Sequence, residues 1–112
     1  MLNIPDNIQY AINEFLTKIN KILKKKIKKI ILYGSYARGD YNNSSDVDIM
    51  ILTTLNNDKI EEYREAISDV IFDIQVETDI YISPIIKNID NYNLKIGFIP
   101  FYMNVQKEGV EL

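Results

Sequence analysis

Asp46 and Asp48 stand two residues apart at the head of an apolar run, "DVDIMILT". On an extended chain, side chains two apart share a face, so these carboxylates lie about 7 Å apart along the chain and can converge on one cation. An ionised carboxylate in an apolar layer is costly unless something cationic holds it. Asp46 alone could be the last polar residue of the loop "NNSSD", but Asp48, flanked by Val47, Ile49, Ile51 and Leu52, resists that account and reads as a metal ligand. Upstream, Gly34-Ser35 ends the run "KIILY" and leads into "YARG". A strand that turns through Gly-Ser into a short helix leaves amides and a hydroxyl free to hold phosphate oxygens. Most Gly-Ser pairs are simple turns. Joined to two carboxylates, this one gains meaning, because one element would hold a polyphosphate and the other the metal that the polyphosphate also binds. Arg38 is the only arginine near the pair; its planar fork suits a phosphate, and an ion pair with Asp40 or another acid is the equal alternative. Tyr36, Asp40 and Ser45 read as residues that shape the loop.

With 112 residues, the chain has room for one domain with its own core, expected over 1–112. It contains no cysteine and no histidine, which excludes disulfide scaffolds, thiol nucleophiles, Ser-His-Asp triads and Cys/His zinc sites. Oxygen ligands remain, and these favour hard ions: Mg²⁺, Mn²⁺ or Ca²⁺. A hydrophobic share of 46% with 26% charged residues argues for a folded globular domain. The net charge of −3 gives no global field for nucleic acid, so no DNA partner is expected. No apolar run approaches a membrane span, and "MLNIPDNIQY" does not read as a signal peptide, which places the chain in the cytosol. The lysines between Lys21 and Lys29 read first as charge complementing a helix C-terminus and second as a binding patch.

The elements that must position these residues follow from periodicity. Ile8, Ile12, Phe15, Ile19 and Ile22 predict a helix over 5–26, with Pro5 in its first turn. Residues 29–33 predict a strand ended by Gly34, and 47–53 a second, apolar on both faces and so interior to a sheet. Asn56 or Asn57 caps a predicted helix over 58–73. "VETDIYIS", 76–83, predicts a third strand, with Pro84 marking its edge or end. Short helices are expected at 88–94 and 99–108, with Gly109 as a stop. The fold class is therefore α/β (α+β): a small mixed sheet of three or four strands with helices packed on it.

Gly34-Ser35, ten intervening residues, then Asp46-Val47-Asp48 resembles the Gly-Ser-x10-Asp-x-Asp signature of the polymerase β nucleotidyltransferase superfamily. "GSYARGDYNNSSDVDIMI", with Arg38-Gly39 and Ser45, is similar to the minimal nucleotidyltransferases that act as MntA-type antitoxins beside HEPN-domain toxins. The resemblance implies a polymerase β palm-like core. It implies two Mg²⁺ ions (or Mn²⁺) about 3.5–4 Å apart, ATP as substrate, Asp46 and Asp48 as metal ligands and catalytic residues, and Gly34, Ser35, Arg38 and Ser45 around the nucleotide. The family's third carboxylate sits on the next strand. Asp79 is the better match, sharing the metal and helping to deprotonate the acceptor, and Glu77 is the alternative. The implied reaction is transfer of AMP to a hydroxyl, a tyrosine of a HEPN partner.

Larger relatives of this core carry extra domains that hold the acceptor. Here that recognition falls to another protein, to self-association, or to the aromatic segment "IGFIPFYMNVQKEGVEL", whose other reading is core packing. Two further function classes stay open: a binding module that neutralises its partner by contact, and a small-molecule nucleotidyltransferase of the aminoglycoside-modifying kind.

Overall fold

A computed structural model describes residues 3–112. The first helix, α1 (Asp6–Leu23), buries Ile8, Ala11, Ile12, Phe15, Ile19 and Leu23 along one stripe. It ends where Lys24 takes a positive φ of 54°, and a 3-10 turn, Lys24–Lys26, follows. The helix is thus shorter than expected at both ends, and Pro5 is its N-cap residue instead of lying in the first turn.

Strand β1 (Ile27–Tyr33) pairs antiparallel with β2 (Val47–Thr53), which pairs parallel with β3 (Ile82–Asn88). A final strand, β4 (Val110–Glu111), pairs antiparallel with β1, giving the order β3-β2-β1-β4. The interior position expected for 47–53 is what β2 occupies. Between β1 and β2 lies the one-turn helix α2 (Ser35–Arg38); α3 (Asn57–Glu62) and α4 (Arg64–Thr78) join β2 to β3, and α5 (Ile89–Lys95) and α6 (Pro100–Glu108) join β3 to β4. Asn56 is the cap, its side chain accepting from the Lys59 amide at 3.0 Å.

Helices cover both faces. On one, α1 and α4 pack against Ile30, Leu32, Val47, Ile49, Ile51 and Ile82. On the other, Ile31, Tyr33, Met50 and Leu52 meet Tyr92 of α5 and Val105 of α6. This explains why β2 is apolar at nearly every position, since both of its faces are buried.

The third strand is a correction. Residues 76–78 are the last turn of α4, and the strand begins at Ile82. β-branched and aromatic content made "VETDIYIS" look extended, but Ile67, Val70 and Ile74 continue a helical stripe into the core, and packing outweighs a weak local preference. The helix stops at Asp79, whose φ of 60° is left-handed and whose amide donates to the Gln75 carbonyl at 2.8 Å. Pro84 sits inside β3. The Val47 amide donates to the Tyr81 carbonyl, so odd-numbered residues of β3 turn their backbone groups toward β2 and Pro84 faces the open edge, where no ladder bond is lost. The predicted 58–73 helix is two helices broken at Tyr63. The fourth strand that the fold class allowed for is β4, whose position periodicity did not reveal; Gly109 leads into it directly.

Candidate active site

Gly34 is where β1 turns into α2, with φ 78° and ψ −156°, a conformation that L side chains rarely adopt. A second constraint acts there. A Cβ on Gly34 would fall on Asp48 Oδ2. Glycine is therefore required by the backbone and by the carboxylate that occupies the vacant side-chain position. The amides of Ala37 and Arg38 donate to the Gly34 carbonyl at 3.1 and 3.0 Å, so those of Ser35 and Tyr36 precede the first helical bond. Gly39, at φ 90°, ends the turn.

The loop from Asp40 to Ser45 organises itself. The Asn42 amide donates to Ser45 Oγ at 2.9 Å, the Ser44 amide to Asn42 Oδ1 at 2.8 Å, and Tyr36 stacks on Tyr41 with ring centroids 4.5 Å apart. Ser45, assigned to the nucleotide by the resemblance, holds this turn. Asp46 emerges from it exposed, and Asp48 is half-buried on β2, opposite Tyr33 of β1. Burial pushes the Asp48 carboxyl above the ordinary aspartate range, and Asp46 and Glu108 push it the same way against the pull of Arg38. Burial, Asp48 and Glu108 likewise push the Tyr33 phenol up to about 12. The surroundings of Asp48 thus favour its neutral form, and a cation beside it would reverse that balance.

Arg38 makes the ion pairs that were the alternative to phosphate binding: Nε donates to Asp40 Oδ2 at 3.1 Å and Nη1 to Glu108 Oε2 at 2.7 Å. Glu108, 70 positions away, had no local signal to reveal it; it reaches the site because β4 pairs with β1.

The structure does not bring Asp79 and Glu77 to the sheet. Asp79 caps α4, exposed, and lines a cleft of about 500 Å³ with Asp46, Tyr36, Tyr41, Ser45 and Tyr81. Glu77 lies on α4 and accepts from the Tyr10 hydroxyl at 2.6 Å. In the β2–β3 register Ser83 stands beside Asp48. Among the described residues no three carboxylates form a group that could hold one ion. Asp46 and Asp48 lie close enough for the charge of one to raise the pKa of the other, and their hard oxygen donors are of the kind a divalent cation takes, with water and phosphate completing its shell.

The model of the nucleotidyltransferase domain family matches residues 13–105. Two proteins of Methanocaldococcus jannaschii that are assigned by name as protein adenylyltransferases are 35% identical over 103 residues and 40% identical over 101. These alignments cover 92% and 90% of this chain, and 95% and 94% of those proteins. Among solved structures, a toxin–antitoxin complex with AMP-PNP superposes with a TM-score of 0.54 at 20% identity, over 88% of this chain and 71% of that one. A mutant of the MntA–HpeT toxin–antitoxin does so with a TM-score of 0.52 at 18% identity, over 98% and 72%. These two likenesses establish the shared fold. With its Gly-Ser turn set against an Asp-x-Asp strand, this chain belongs to the nucleotidyltransferase domain family.

Proposed function

We propose that this protein transfers AMP from ATP to a hydroxyl of a partner protein, and that it acts in the cytosol as the antitoxin of a HEPN-type toxin whose tyrosine is the acceptor. The observation that carries the chemistry is Asp48, held against Gly34 so that the carboxylate and the Gly-Ser turn share one corner of the sheet. The relatives assigned as protein adenylyltransferases support the choice of a protein acceptor, and the AMP-PNP complex supports ATP.

In this reading the Ser35 hydroxyl, the first amides of α2 and Arg38 bind the phosphates, and Gly34 lets them approach. Ser45 keeps the loop around the nucleotide in shape. Asp46 and Asp48 would hold Mg²⁺ or Mn²⁺, which supplies charge neutralisation at the α-phosphate and the leaving group. The acceptor oxygen bonds to the α-phosphorus, the bond to the bridging oxygen breaks, and pyrophosphate leaves. Asp79 faces the acceptor from the cleft it shares with Asp46 and takes the hydroxyl proton. A second ion would have to rely on phosphate and water for most of its ligands, because no third carboxylate joins the pair among the described residues.

That gap also favours a second reading, a binding module that silences its partner by contact alone. Incubation of the protein and its chromosomal neighbour's product with labelled ATP and Mg²⁺ decides between them. Transfer is expected from wild type and lost in Asp46→Asn/Asp48→Asn. Equal transfer by both proteins would sink the catalytic assignment, and binding of the partner without transfer by either would favour the module.

A further inference from the structure

We propose that the outer face of the α1/α4 layer docks a second copy of this chain, with α1 of each protomer seated on α4 of its partner around a two-fold axis. The inference is independent of the transfer reading, because this layer covers the face of the sheet away from Asp48. That carboxylate shares its side of β2 with Met50 and Leu52, which meet α5 and α6.

The two helices run in opposite directions. α1 leads into β1, while α4 crosses between the parallel strands β2 and β3, which run against β1. The Tyr10 hydroxyl donates to Glu77 Oε1 at 2.6 Å and fixes the level at which the helices meet. Opposite its buried residues, each helix carries a stripe of exposed or half-buried positions spaced by four, three and four. On α1 these are Tyr10, Glu14, Thr17 and Lys21, and on α4 Glu65, Asp69, Phe72 and Val76. Both helices rise equally per residue. Tyr10 therefore lies level with Val76, Glu14 with Phe72, Thr17 with Asp69 and Lys21 with Glu65.

The apolar members of these stripes are uncovered: Tyr10 is 47% exposed, Phe72 64% and Val76 71%. Charge identifies what covers them. Residues 18–29 carry seven lysines and no acid, whereas 58–79 carry eight acids against Lys59 and Arg64. Lys21, Glu65 and Asp69 make no ion pair among the described residues. The layer is thus basic along the last turns of α1 and acidic along α4, a surface that no partner of one sign matches. A two-fold axis along the seam between the helices exchanges the two edges at constant level. It brings Lys21 of one protomer to Glu65 of its partner and Tyr10 to Val76, and each contact occurs twice. The product is a four-helix layer that buries Phe72 and Val76 and leaves both Gly-Ser corners open to substrate.

Sedimentation velocity of the full chain over the micromolar range tests the proposal, and wild type should approach twice the monomer mass. Phe72→Gln/Val76→Gln should weaken association by at least about tenfold, because two apolar contacts are lost in each half of the interface. Its thermal midpoint at low concentration should be unchanged, since both side chains are exposed within the protomer. Lys21→Glu and Glu65→Lys should each weaken the dimer by about tenfold, and the exchange Lys21→Glu/Glu65→Lys should restore it. The chain has no cysteine, so a mixture of Tyr10→Cys and Val76→Cys chains should yield a disulfide-linked dimer on mild oxidation that neither chain gives alone. A wild type that stays monomeric throughout overturns the proposal. So does a dimer that none of these substitutions weakens, which would place the contact elsewhere, and so does growth beyond twice the monomer mass, which would make the contact head-to-tail.

Discussion

Gly34 and Asp48 depend on each other at the scale of single residues. Gly34→Ala would have to strain a left-handed backbone and push Asp48 off its position, at a stability cost of about 1–3 kcal/mol. If Asp48 holds the metal as proposed, displacing its carboxylate by an ångström should also lower transfer by roughly 10²-fold, which urea denaturation and a label-transfer assay would measure together. Asp48 itself should oppose folding at neutral pH when no metal is bound. Its carboxyl is pushed up in the folded state, so the folded protein holds the proton longer than the unfolded one, and stability falls as pH rises from the unfolded pKa through the folded one. Asp48→Asn is therefore expected to raise the urea midpoint at pH 7 in chelator, and to lose that advantage at about pH 3, where the unfolded carboxyl is protonated too. A midpoint lowered at neutral pH would contradict this. The meeting of Asp48 with the Gly34 turn was legible because its signal is local: a carboxylate in an apolar run and a small turn before it announce themselves by type and spacing. Glu108 was not, because a contact across 70 positions leaves no mark on its neighbours.

Among the elements, α1 and β2 emerged from periodicity because their burial is strong and regular. Phe15 is fully buried between α1 and the sheet, and Phe15→Ala should cost about 3–5 kcal/mol in chemical denaturation. The end of α4 was misread for a physical reason: two β-favouring residues at a helix C-terminus, Val76 and Thr78, say less than the Ile67, Val70 and Ile74 stripe that packs the turns before them. Asp79 caps that helix in a left-handed conformation. Asp79→Gly should relieve this and stabilise the protein by about 0.5–1 kcal/mol, while removing the carboxylate from the cleft beside Asp46. Raised stability with reduced transfer would separate its structural part from its chemical one; unchanged transfer would remove it from the mechanism.

At the scale of the whole molecule, part of the C-terminal segment packs into the core, as one of its two readings expected. Val105 and Tyr92 fill the second core layer, yet Leu94, Phe98 and Met103 stay exposed on the same side. No helix among the described residues is long and apolar enough to cross a membrane. The segment's last residues close the sheet, with Ile31 facing Glu111, Leu32 facing Val110, and the Leu112 amide donating to the Ile30 carbonyl at 2.8 Å. A chain ending at Glu108 would lose these bonds, each worth about 1 kcal/mol net. Its urea midpoint should fall in a single transition. An unchanged midpoint in the shortened chain would show that β4 does not support the sheet.

By itself the sequence determined a small helix-covered sheet, an oxygen-based chemistry and the pairing of a Gly-Ser turn with Asp46 and Asp48, since hydrophobic period, residue type and short spacing are properties of neighbours along the chain. Only the tertiary structure decided that the third strand starts at Ile82, that Asp79 faces a cleft instead of joining the carboxylate pair, and that Glu108 reaches Arg38. Those outcomes depend on register and on which distant elements share the sheet, and such contacts arise only when the chain closes on itself.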